Sequence, residues 1–149
     1  MRRVLKTLSA LAAGAVAFGA AASAQVPDQY ARQLAGQLSQ VETTMSGNGY
    51  RRDEGPLSGA AESGGTMDHL VNLRAGRSYT IVGVCDNDCN DVDIRLYDQN
   101  NNLIDEDVLV DDMPVVEVTP AFNGPFRVQV LMPGCSTSIC YYAFNVYGR

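Results

Sequence analysis

Ten of the seventeen acidic residues fall between Asp86 and Asp112, and Arg95 is the only base among them. The densest part is Asp86-Asn87-Asp88-Cys89-Asn90-Asp91-Val92-Asp93. Calcium takes about six to eight oxygens from carboxylates, amides and carbonyls. On that chemistry Asp86, Asp88, Asp91 and Asp93 are candidate calcium ligands, with Asp111 and Asp112 able to approach from another loop. A Cys85–Cys89 bridge would constrain the segment and lower the ordering cost of binding. The spacing is not that of an EF-hand, because Asp91 stands where the loop needs its Gly and Tyr97 where it needs its Glu. The same acids also read as a solvated face that keeps an exported domain soluble.

Other reactive groups are few. His69 is the only histidine. It lies in the strand-like Thr66-Met67-Asp68-His69-Leu70-Val71, with no G-x-S-x-G elbow to serve, and reads as packing or surface rather than as a catalytic base. A glycosidase needs two carboxylates across a sugar cleft. The acids here crowd into one region, and there is no Trp to stack on a sugar. Gly64-Gly65 precedes a strand pattern, not the helix that a phosphate-cradling loop requires. The four cysteines form two close pairs, Cys85/Cys89 and Cys135/Cys140. Of the three pairings that four Cys allow, the local one (85–89 and 135–140) is favoured, since each pair falls between strand patterns. Zinc is disfavoured by the spacing and by the lack of a second His.

The compartment follows from the first residues. Arg2, Arg3 and Lys6 precede the apolar run Leu8 to Ala22, and Ala22-Ser23-Ala24 is a small-residue cleavage site. Residues 1–24 read as a signal peptide cleaved after Ala24, which places the chain in the periplasm or outside the cell. The run is short of the roughly 20 residues a membrane span needs. Removal of 1–24 leaves eight basic and seventeen acidic residues and no Lys. That charge argues against nucleic acid, whose binding depends on Lys and Arg neutralising phosphates, and against anionic lipid. An even Cys count in an oxidising compartment predicts disulfides rather than a reactive thiol.

The elements that position these residues change character along the chain. Tyr30, Leu34, Leu38, Val41 and Met45 recur at helical spacing, predicting an amphipathic helix over 28–45. It reads either as packed on the domain edge or as a docking helix. Residues 47–65, rich in Gly and Pro, read as a linker. From Thr66 the period is two. Strands are predicted at 66–73, 78–85, 92–97, 102–105, 115–118, 125–132 and 141–147. Val92, Ile94 and Leu96 form a buried face against a wet Asp91, Asp93 and Arg95. Short strands with regular turn punctuation predict an all-β, antiparallel, jelly-roll-like β-sandwich of about seven or eight strands.

Five stretches carry a resemblance. They are Leu73-Arg74-Ala75-Gly76-Arg77-Ser78-Tyr79-Thr80-Ile81, Asp91-Val92-Asp93-Ile94-Arg95-Leu96-Tyr97-Asp98, Val115-Val116-Glu117-Val118, Gly124-Pro125-Phe126-Arg127-Val128-Gln129-Val130 and Tyr142-Ala143-Phe144-Asn145-Val146. In order and spacing, residues 66–148 resemble the bacterial pre-peptidase C-terminal (PPC) domain family. Asn100-Asn101-Asn102 stands where that family uses a turn with a central Gly, and a helix and linker precede the domain instead of a peptidase. The resemblance implies a small secreted β-sandwich, not itself catalytic, that assists export, attachment or substrate contact, and calcium binding as in some relatives. The expected protein is thus a monomeric exported accessory module with a protein or polysaccharide partner. A small carboxylate-dependent hydrolase and an envelope protein docking through its helix are the alternatives.

Overall fold

The computed structural model describes residues 25–149, so the predicted signal peptide lies outside the described residues. One helix, α1 (Asp28–Gly47), precedes eight strands. These are β1 (Arg51–Ala61), β2 (Thr66–Leu73), β3 (Tyr79–Cys85), β4 (Cys89–Tyr97), β5 (Leu103–Asp107), β6 (Val115–Val118), β7 (Gly124–Cys135) and β8 (Cys140–Gly148). They form two four-stranded sheets, β1-β8-β3-β6 and β2-β7-β4-β5, and every pairing is antiparallel. The fold is an antiparallel β-sandwich.

The period-two pattern does its work between the sheets. Val71, Ile94, Leu96, Val128, Phe144 and Val146 are buried there. Burying side chains of this size contributes roughly 1.5–3 kcal/mol each. The helix makes a second core on the outer face of the first sheet, with Leu34, Leu38 and Val41 against Val82, Val84, Ala143 and Tyr147. This cover explains why β3 is buried at every position and why Tyr147 is fully enclosed although it points away from the sandwich interior. Leu34, Leu38 and Val41 of the α1 stripe are therefore packed within their own domain, and Met45 at its end is only partly buried. Among the described residues no helix is long and apolar enough to cross a membrane.

The linker read at 47–65 is also corrected. Most of it is β1, which runs along β8 from Arg51 opposite Gly148 to Ala61 opposite Cys140. The sandwich accordingly begins near Arg51 rather than at residue 66. Gly55 and Pro56 fall where the register shifts between Glu54 and Leu57. An edge strand tolerates such an interruption, because one side of it needs no partner. Gly59 has a separate reason: a Cβ there would lie 2.4 Å from the Tyr142 hydroxyl.

Both predicted disulfides are present, Cys85–Cys89 and Cys135–Cys140. Each links strands of different sheets across a short connection, β3 to β4 and β7 to β8. Cys89 and Cys135 are register partners, so both staples sit at one end of the sandwich.

Candidate functional site

The acidic stretch divides by what its carboxylates touch. Asp86 is 2 % exposed and accepts hydrogen bonds from the backbone amides of Asp88, at 2.8 Å, and Tyr141. It ties the β3–β4 turn to β8. Asp98 accepts from the amides of Asn100 and Asn102 at 2.9 and 2.8 Å. These bonds and the Asn102 side chain hold the Asp98 carboxyl below its ordinary range, the side-chain bond contributing most. The turn it caps places Asn101 at φ 62°, a left-handed conformation that Asn adopts more readily than other side-chain-bearing residues.

Farther along, Asp105 accepts from Glu106 N–H at 3.0 Å and from Glu117 N–H at 2.8 Å. Asp107 accepts from Leu109 N–H at 3.3 Å and from Val115 N–H at 2.9 Å. Asp111 accepts from Met113 N–H at 3.0 Å, and Glu106 pairs with Arg95 at 2.9 Å. Much of the acidity thus satisfies backbone donors of turns and of the β6 edge.

The four predicted calcium ligands do not converge. Among the described residues no group of three or more His, Cys, Asp or Glu side chains is placed to hold a metal ion. Asp86 is committed to amides, and Asp88 receives the Tyr30 hydroxyl at 3.4 Å. Asp91 and Asp93 belong to β4. Their Oδ1 atoms are buried without a hydrogen-bond partner.

Asp93 also corrects the wet-face expectation, being only 7 % exposed. It does point outward by alternation. However, the segment carrying Asp111 runs beside β4, with Val92 N–H donating to the Asp111 carbonyl at 3.0 Å. Burial, then the Asp91 carboxylate, push the Asp93 carboxyl up to about 6. Asp93 therefore keeps its proton below about pH 6 and is ionised at neutral pH.

His69 faces inward between the sheets. Its Nε2 lies 2.7 Å from the Tyr142 hydroxyl, and its ring meets Tyr142 and Phe144 edge-on. Burial lowers its pKa against a smaller opposing effect of Asp68, and burial pushes the Tyr142 hydroxyl up. This is a packed polar pair. The helix steadies the acidic turn from the other side. Gln37 donates to the Cys85 carbonyl at 2.7 Å, Asn87 N–H donates to Gln33 at 3.0 Å, and Tyr30 stacks on Tyr141.

What the sequence reading missed is apolar. The β5–β6 loop presents Val108, Leu109 and Val110 at 43, 68 and 87 % exposure. The same carboxylates fix its backbone: Asp107 on Leu109, Asp111 on Met113, and Asp111 N–H on the Leu109 carbonyl at 2.8 Å. The available signal was three consecutive apolar residues between Asp107 and Asp111, in neither strand nor helix period.

No protein-family profile matches the chain, and no curated protein matches it. Among solved structures the chain is similar to the crystal structure of Aeromonas hydrophila PliG, a periplasmic lysozyme inhibitor of g-type lysozyme. The identity is 12 %, the match covers 64 % of this chain and 85 % of that one, and the TM-score is 0.47.

Proposed function

We propose that this chain is an exported, non-catalytic binding module of the PPC type that contacts a protein partner through its β5–β6 edge. The observation that carries the reading is the crest Val108-Leu109-Val110, exposed yet held by carboxylate–amide bonds from Asp107 and Asp111. A loop ordered before contact loses less conformational freedom on binding. The engagement of His69 with Tyr142 supports a non-catalytic role. The two disulfides fit an oxidising compartment, in keeping with the signal read at residues 1–24.

The test places a photo-crosslinking amino acid at Val110, or at exposed Ser63 on the opposite β1–β2 edge, in cells that export the chain. A discrete protein adduct from position 110 and none from 63 is expected. Equal adducts from both, or none from 110, would refute the reading.

A further inference from the structure

The helix does not cover the whole outer face of its sheet. It lies over β1, β8 and β3 and stops short of β6, leaving an open groove of about 590 Å³. Val41 and Met45 form the helix wall, Val82 the floor, and Met113 and Val115 the far wall. Met113 and Val115 are 43 and 40 % exposed and follow the Val108–Val110 crest in the chain. Glu117 and Arg149 are the charged residues that line the groove, and the chain that forms its far wall is acidic. Residues 105–117 hold six acids and no base. Glu106 alone among the six forms an ion pair. Arg149, at the other end of the groove, stacks on Tyr50 at 4.5 Å.

The edge of β6 also restricts how a partner can enter. Its outward N–H groups, at Val115 and Glu117, already donate to Asp107 and Asp105. An added strand would have to displace both carboxylates, so recognition here proceeds through side chains.

We infer that the groove is a docking site for a cationic segment of a partner protein. The segment seats apolar side chains against Met45, Met113 and Val115 and sets Lys or Arg against Glu117, which lines the groove, and the acids that precede it in the chain. This rests on the reading of the β5–β6 edge as the contact surface and names the chemistry that edge selects. Opposite charge steers such an encounter and excludes acidic competitors, while the apolar contacts supply the attraction that survives salt.

The experiment uses residues 25–149 with 13C-labelled methionine methyls. Met45 and Met113 report the groove; Met67 and Met132 lie elsewhere. The probes are three twelve-residue peptides: alternating Leu and Lys, alternating Leu and Glu, and alternating Ser and Lys. The Leu–Lys peptide is expected to shift Met45 and Met113 saturably and leave Met67 and Met132 in place. The other two should bind at least tenfold more weakly. Val115→Glu, at a half-exposed position whose backbone bond to Asp107 is kept, should weaken Leu–Lys binding at least tenfold without lowering the melting temperature.

Equal binding of Ser–Lys and Leu–Lys would overturn the inference by reducing it to bulk charge. So would equal shifts at Met67, or groove shifts that grow with protein concentration alone and thereby show a second copy as the occupant. If the Val110 crosslink forms and Val115→Glu leaves it unchanged, the contact edge stands and the groove is overturned.

Discussion

The backbone amide of Glu117 donates to the Asp105 carboxylate at 2.8 Å, joining the outermost strand of one sheet to the outermost strand of the other. Two residues along each strand, Val115 N–H meets Asp107 in the same way at 2.9 Å. An antiparallel strand offers alternate amides to its neighbour and the rest to its open side. Here β5 closes that open side with side chains instead of a backbone ladder. The arrangement protects the edge from unintended strand pairing and fixes both ends of the loop between them.

Removing one of these acceptors should unpair an edge amide. Asp107→Ala is expected to lower stability by about 1.5–3 kcal/mol, the range for a hydrogen bond to a charged group, and the melting temperature by several degrees. Asp107→Asn keeps a carbonyl acceptor and should recover most of the loss. Equal losses in thermal melts would instead assign the effect to charge.

Asp93 gives a pH dependence of defined sign. Its folded-state value, raised to about 6, lies above the 3.8 of the unfolded chain. The folded state therefore binds the proton more tightly, and this group's contribution to stability falls as pH rises from 3.8 to about 6. Asp93→Asn should remove that slope and stabilise the domain by roughly 1–2 kcal/mol at pH 7.5, discounted for residual solvent screening. Urea unfolding across pH checks both statements.

His69 acts in the opposite direction. Burial lowers its pKa below 6.5, so its stabilising effect is present above that pH and is lost as pH falls through the depressed value. A His69→Gln variant should show a smaller loss of stability on acidification than the parent when both carry Asp93→Asn. Gly59→Ala should disturb the same pair sterically by displacing the Tyr142 hydroxyl. It is expected to weaken the edge-on aromatic signature of Tyr142 in near-ultraviolet circular dichroism and to destabilise the fold.

The staples are separable from the acids. Each disulfide closes a loop of four or five residues. Such a loop is worth about 2 kcal/mol by chain entropy. Cys135→Ser with Cys140→Ser should cost that amount in chemical denaturation and leave calcium and chelator without differential effect.

The sandwich was legible where alternation was regular. The bounds predicted for β2 and β6, Thr66–Leu73 and Val115–Val118, are those observed, and local pairing of the cysteines followed from their placement between strands. β1 was not legible, because Gly55, Pro56 and Gly59 read as breakers. In the fold the first two mark a register shift on an edge strand, and the third makes room for Tyr142.

Alternation placed Asp93 outward correctly. It was silent on the Asp111 segment that runs beside β4. The acids were conspicuous in the sequence, and the amides they serve were not, since Asp105 meets Glu117 only after both sheets have formed. The helix period was clear and its destination was not: whether Leu38 faces a partner or Val82 and Tyr147 depends on a sheet face that period-two strands leave unspecified.

The central claim is that the acidic stretch is a scaffold of backbone caps displaying an apolar surface. Hydrogen exchange at the Val115 and Glu117 amides tests it most directly. Both amides should be protected in the parent, unchanged between chelator and calcium, and Asp107→Ala should release Val115 first. Unprotected amides in the parent would contradict the account, as would protection that appears only with calcium.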